Sequence, residues 1–236
     1  MTEKDNIYNE NITKNILLSR FNNIYKVLDN RKQPKIDLYD FNQDIGVEIT
    51  MANLSDDEYK AINCALCDKE YESNNYKVNN FFGGFNITSK KYSDTDTGYN
   101  NLAIDLFKNS FEKKNKYHKN HYNEYSCTDL FIHDLLHFHI LPDKQFFIEK
   151  ILKYLKDFND SIKFRYIYFE IFTTDDCCTI FMFDTKNFNC KCVDISKYEM
   201  DIIGLYTLYE KDINKLHSLH VQEKLKGREL IYEHKT

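Results

Sequence analysis

Along this chain the spacing of apolar residues switches repeatedly between a helical and a strand period, and few architectures accommodate that alternation. Ile12, Ile16, Leu17, Phe21, Ile24, Tyr25 and Leu28 recur at helical spacing and predict an amphipathic helix over residues 9–29. "RKQP" ends it, because Pro34 forces extended backbone on its predecessor. A candidate hairpin over residues 34–50 follows, then "LSDDEYKAINCALCDKEYE", which reads as a helix with Ser55 as N-cap. Residues 73–100 are polar and contain glycine, as hairpins and loops do. A long helix is predicted over about 101–122, with Leu102, Leu106, Phe107, Phe111, Lys114 and Tyr117 near one stripe. "CTDLFIHDL" reads as a short buried strand and "DKQFFIEKILKYLKDFN" as an amphipathic helix. "FRYIYFEIF", "CTIFMFD" and "CKCVDI" read as strands, and the charged tail from Ile203 as a helix. Such interleaving predicts an α/β fold, a central sheet flanked by helices rather than segregated layers. Neither a repeat nor a linker cuts the chain. The expectation is one domain over residues 1–236, with a loop-rich insertion at about 73–100.

Composition narrows the function classes. The 236 residues are 42% hydrophobic and 29% charged, an ordinary globular balance. A net charge of −5 excludes a globally basic nucleic-acid coat. Nucleic-acid binding would rest on a local basic patch, or on metal ions that offset an acidic site. The start "MTEKDNIYNE" has no apolar signal core, and "LFIHDLLHFHIL" is too short and too interrupted to span a bilayer. With seven Cys scattered along the chain, free thiols in a reducing cytoplasm and no membrane partner are expected. Arg occurs only at 20, 31, 165 and 228, while Lys, Asn and Tyr abound. That bias suggests AT-rich coding, as in low-GC bacteria and their phages, and a phage or mobile-element setting.

The hairpin "PKIDLYDFNQDIGVEIT" places two acids in conflict. Side chains alternate along a strand, so Ile36 and Leu38 share a face with Val47 and Ile49, while Asp37, Glu48 and Thr50 share the other. A turn centred on Asn42-Gln43, or a four-residue loop about the same centre, sets Asp37 opposite Glu48. Opposed side chains have Cβ atoms about 4.5–5.5 Å apart, and like charges so placed destabilise the sheet. Solvation at a sheet rim would relieve the repulsion. So would protonation of one acid, or a divalent cation, since Mg²⁺ binds through one or two carboxylates with waters and phosphates.

An Asp, a gap of about ten residues and an "hEhT" strand, preceded by one helix and followed by a Lys-bearing helix, resemble the PD-(D/E)XK nuclease superfamily. The same stretch is locally similar to the endonuclease segment of influenza-type polymerases. The resemblance implies a restriction-endonuclease-like fold, with a central mixed sheet flanked by helices, and hydrolysis of phosphodiester bonds in DNA or RNA with Mg²⁺ or Mn²⁺. It makes Asp37 and Glu48 the metal-binding and catalytic acids, and Glu10 on the first helix an outer metal ligand. An exposed acid favourable to the helix dipole is the other reading of Glu10. The family's Lys, expected two residues after Glu48, is replaced by Thr50. Some members carry that Lys on the next core helix. Here "FEKKNKYHK" offers it, and Lys114, three residues after Phe111, lies nearest the buried stripe. A different class also fits: a non-catalytic acidic binding protein on a related fold, neutralising a basic toxin or mimicking nucleic acid.

Other motifs compete weakly. Cys64-x-x-Cys67 with His118, His121, His133, His137 and His139 invites a zinc reading, but the pair sits inside a predicted helix and no second pair follows at a matched distance. A histidine of the 133–139 segment would border a cleft as a further ligand or base, or pack at the core edge. "DTDTG" at 94–98 lacks the third acid of a calcium loop, and "FGGF" lacks the strand-to-helix context of a phosphate loop.

Overall fold

The computed structural model describes residues 3–30, 36–52, 57, 60, 61, 64, 65, 67, 69–81, 84–92, 95–118, 125–134, 140–158, 161–200 and 203. A mixed seven-stranded sheet forms the centre, in the order β1-β2-β3-β7-β8-β9-β10. Its parallel middle is β3 (Ile45–Met51), β7 (Cys127–His133) and β8 (Tyr166–Thr174). On one side β2 (Leu38–Asp40) and β1 (Asp29–Asn30) add antiparallel, and on the other β9 (Cys177–Asp184) and β10 (Asn189–Ser196) do the same. The fold is therefore α/β with helices on the sheet, as the alternating periods require.

Helix placement follows from the connections. Helix α2 (Asp96–Tyr117) lies in the crossover from β3 to β7, and α3 (Lys144–Phe158) in the crossover from β7 to β8. Both crossovers step the same way along the sheet, and a common handedness sends both helices to one face. There Leu102, Leu106, Phe107 and Phe111 of α2 and Phe147, Ile151 and Leu155 of α3 bury against Leu130, Ile132, Phe169, Phe181 and Phe183. Helix α1 (Glu3–Arg20) covers the opposite face, where Ile12, Ile16 and Leu17 meet Leu38, Val47, Phe131, Tyr168 and Ile180. Strands buried from both sides explain why β8 and β9 read as nearly continuous apolar runs.

Several boundaries move. The first helix does not run over 9–29; α1 begins earlier and stops at Arg20. Phe21, Tyr25 and Leu28 still bury, but from turns rather than from the helix. The cause is tertiary: the Asp40 carboxylate accepts the N–H groups of Lys26 (3.0 Å) and Val27 (3.4 Å), which holds that segment off the helical path. Helix α2 starts at Asp96 rather than 101, because Thr95 caps it by accepting the Gly98 N–H at 3.2 Å. It is described to a C-cap at His118; the rest of the expected helix, to 122, lies outside the described residues.

Residues 73–100 hold more strand than loop. A separate antiparallel sheet joins β4 (Tyr71–Glu72), β5 (Tyr76–Phe81) and β6 (Gly84–Ser89). Tyr76 and Val78 bury against Ala61 and Ala65, which are helical, while Ser55 and other residues of that expected helix lie outside the description. Of the tail, only Ile203 is described, as helical. Among the described residues no helix is long and apolar enough to cross a membrane.

Candidate functional site

Strands β2 and β3 pair as Leu38↔Val47, Tyr39↔Gly46 and Asp40↔Ile45, so the hairpin is centred between Asn42 and Gln43 and closed by a four-residue turn. Asp40 organises that turn, accepting the N–H groups of Asn42 (2.9 Å) and Gln43 (3.2 Å). Asp44 adopts a left-handed φ of 54° at its exit, which Asp tolerates better than most residues. Gly46 follows because a Cβ there would run into the Ile36 side chain.

Extending the register by one step would set Asp37 opposite Glu48. The ladder stops at Leu38, however, and Asp37 uses its side chain instead: Oδ2 accepts the N–H of Ile49 at 2.7 Å. That donor lies two residues beyond Val47, on the side facing β2, where no strand backbone continues. The carboxylate takes the place of a missing ladder carbonyl, which fixes its orientation beside Glu48.

Glu48 projects from the middle of β3 toward the α2–α3 face and is only 6% exposed. It pairs with the amine of Lys114, in the last turn of α2. Phe107 and Phe111 are buried on the sheet, and Lys114 continues their stripe one turn further. Glu10, half-buried on α1, accepts hydrogen bonds from Asn30 Nδ2 at 2.9 Å, and burial raises its carboxyl above the usual range.

The four residues form one electrostatic unit. Burial, and then the charge of Glu48, push the Asp37 carboxyl from an ordinary 3.8 up to about 7. The Ile49 N–H and the Lys114 ammonium oppose the shift, and Glu10 adds to it. Glu48, Lys114 and Glu10, separated by up to 104 positions in sequence, thus all act on Asp37 in space. Thr50, two residues past Glu48, is half-buried and supplies no charge. His118, one turn after Lys114, bonds through Nε2 to Thr128 of β7, and the field of Glu48 reaches its ring.

Among the described residues no group of three or more His, Cys, Asp or Glu side chains is arranged to hold a metal. A cation at this site would take Asp37 and Glu48 as its protein ligands and water for the rest, a donor set that suits Mg²⁺ or Mn²⁺. The buried acids fit such an ion, because a positive charge between them relieves the repulsion at Asp37 that Lys114 only partly offsets.

The zinc and cleft readings of the histidines do not gain support. Cys64 and Cys67 are free thiols, and His121, His137 and His139 lie outside the described residues. His133 borders no open cleft: it is 1% exposed, with Nδ1 against Glu170 and Nε2 at 2.6 Å from the Thr13 hydroxyl. A Thr–His–Glu line suggests a nucleophile at first sight. Thr13 is fully buried, though, and its hydroxyl donates to the Asn9 carbonyl at 2.9 Å, so the line is a brace between α1, β7 and β8.

Sequence reasoning missed this brace, and it missed a second one on the same side of the sheet. There the fully buried Asp129 accepts from Arg165 Nε and Nη2 (3.1 and 2.6 Å), Tyr25 Oη (2.5 Å) and Tyr166 N–H (3.0 Å). The available signal was an acid inside an apolar strand, Glu170 in "YFEIF" and Asp129 in "TDLFI". Compared with protein-family models, with curated proteins and with solved structures, the chain matches none.

Proposed function

We propose that the protein is a metal-dependent nuclease of restriction-endonuclease-like fold, hydrolysing phosphodiester bonds of DNA or RNA with Mg²⁺ or Mn²⁺. The observation that carries this reading is the meeting of Lys114 with Glu48 beside Asp37. A hairpin of two acids and a Lys from the following core helix is the arrangement the superfamily resemblance implies, with the Lys moved from the position of Thr50.

Each residue has a definable task. Asp37, oriented by the Ile49 N–H, and Glu48 would hold the ion, which when bound supplies Lewis acidity toward a phosphate oxygen. Lys114 enters from α2 with its ammonium at the acid pair, where it can offset charge that builds on phosphate oxygens. Glu10 lends negative potential from α1 and would act through water rather than directly, its carboxylate being engaged by Asn30.

The test is cleavage of single- and double-stranded DNA and RNA by pure protein in Mn²⁺ or in EDTA, beside Asp37→Ala and Glu48→Ala. Cleavage that needs the metal and both acids supports the proposal; cleavage that survives Asp37→Ala sinks it. One observation favours the other class: the Glu48–Lys114 pair neutralises itself without an ion. Inactivity of every sample on every substrate, with undiminished folding, would assign the chain to the non-catalytic acidic binding proteins.

A further inference from the structure

Two aromatic side chains stand in solvent beside the candidate site. Among the described residues four large apolar side chains are exposed, and the aromatic ones are Phe41 and Tyr117. Phe41, at 58% exposure, sits in the turn of the hairpin that carries Asp37 and Glu48. Tyr117 follows Lys114 by three positions at the end of α2. Scattered exposed apolar residues are ordinary. Phe41 differs because it heads a built cluster: its ring meets Tyr39 edge to face at 4.6 Å, and Tyr39 lies 5.2 Å from Tyr125.

The cluster shares the face of the sheet on which Glu48 stands. Tyr39 pairs with Gly46, two residues before Glu48, so Tyr39 and Glu48 project to the same side. Tyr125 comes down over Gly46, with a ring carbon 3.3 Å from where a Cβ would be. Two residues of strand span about 7 Å, so the rings stand one short step from Glu48. They are also held. Tyr39 Oη donates to Asp44 Oδ1 at 2.8 Å, and Asp44 Oδ2 accepts the Ser126 N–H and hydroxyl at 3.0 and 2.6 Å. These bonds tie the turn to the start of β7 and engage the Asp44 carboxylate. Cations border the same ground: Lys114 at Glu48, with exposed Lys113 and Lys116 beside it on α2. Exposed Lys163 joins them, its backbone N–H donating to Asn115 in the last turn of α2 at 2.9 Å.

We propose that Tyr39, Phe41 and Tyr125 form a stacking platform for an unpaired base, which makes single-stranded nucleic acid the substrate class of the acid pair. That assignment rests on the nuclease reading of Asp37 and Glu48. An edge-to-face contact covers at most one face of Phe41, and the rest of the ring meets solvent. A nucleobase stacks there only when one of its own faces is open, and in a duplex both are taken by neighbouring base pairs. Rings held by Asp44 and by one another lose little freedom on binding. With the base on Phe41, the adjoining backbone runs toward the acid pair, where the lysines of α2 and Lys163 attract its phosphates. Every base has a π-face, so such a platform selects strandedness rather than sequence.

The experiment measures, by fluorescence anisotropy, binding of labelled DNA and RNA of about ten nucleotides, single-stranded and duplex. Full-length protein in EDTA at pH 6 has Asp37 largely protonated and is kept from metal-dependent cleavage. Single strands should bind about ten-fold tighter than duplexes, and Phe41→Ala should lose most of that margin. Ile140→Ala, which removes an exposed apolar side chain next to β8 instead, should lose none of it. The chain has no Trp, so Phe41→Trp adds a single reporter that a stacked base quenches; single strands should quench it and duplexes should not. Equal binding of single strands and duplexes, wild-type affinity in Phe41→Ala, or an unquenched Trp overturns the proposal. Because binding is read without cleavage, the two readings fail separately. A protein that binds single strands through Phe41 but cuts nothing in Mn²⁺ overturns the nuclease alone; Mn²⁺-dependent cutting with both strand forms bound alike overturns the platform alone.

Discussion

Replacing Asp37 with Asn removes one charge from the buried pair and keeps an oxygen to accept the Ile49 N–H. The structure sets both sign and size of the effect. A carboxyl raised in the folded state contributes stability that is complete below its unfolded pKa and lost as pH rises through the folded one. For Asp37 the window runs from 3.8 to about 7. That gap, at about 1.36 kcal/mol per pH unit, amounts to about 4 kcal/mol of destabilisation carried by the wild-type protein once the pH exceeds 7. Asp37→Asn never ionises and escapes it. Chemical denaturation in EDTA should therefore find the variant equal to wild type near pH 4 and more stable by about 2–4 kcal/mol at pH 8. Subtracting one protein from the other isolates Asp37 and the neighbours that act on it from the remaining titrations. Adding Mn²⁺ at pH 8 should stabilise wild type and leave the variant nearly unchanged, since an ion that binds only the folded state shifts the equilibrium by mass action. A variant less stable than wild type at pH 8, or a difference that does not vary with pH, would refute the reasoning.

Other perturbations bear on the same architecture. Lys114→Met should lower cleavage about 100-fold, as loss of one charge-stabilising group does, with the fold retained by circular dichroism. It should also raise the Asp37 carboxyl above its wild-type value, measurable by NMR titration, because the nearby Lys114 ammonium lowers it. Glu170→Ala leaves the buried His133 Nδ1 without its partner and should cost about 1–3 kcal/mol in a urea titration at pH 7; a change below about 0.5 kcal/mol would show that the pair is not the brace described. Asp40→Ala strips the acceptor from the N–H groups of Lys26, Asn42 and Gln43 and should cost about 1–3 kcal/mol, with hydrogen exchange quickening first in the turn at 41–44.

Much of this was legible beforehand. Strands β7 to β10, helix α3 and the register of the first hairpin follow from periodicity and from the symmetry of a turn about Asn42-Gln43, both local properties. In "FEKKNKYHK" the place of Lys114 after Phe111 in a helical stripe sets it nearest the buried face, and in the fold its amine meets Glu48. The end of α1 was not legible, because residues 21–28 keep helical spacing while the Asp40 carboxylate, 14 positions downstream of Lys26, draws their backbone away. Nor was the ending of the ladder at Leu38, which turns Asp37 from a cross-strand partner of Glu48 into an acceptor for the Ile49 N–H.

The sequence by itself determined the alternation of elements, the pairing centre of the hairpin and the set of acids and lysines available to a site, since each depends on neighbours a few residues apart. Only the tertiary structure decided that Glu10, Asp37, Glu48 and Lys114 share one field, and that His133 is a brace rather than a cleft base. Those outcomes depend on α1 and α2 packing on opposite faces of one sheet. Burial and charge, unlike periodicity, are properties of what the folded chain places nearby.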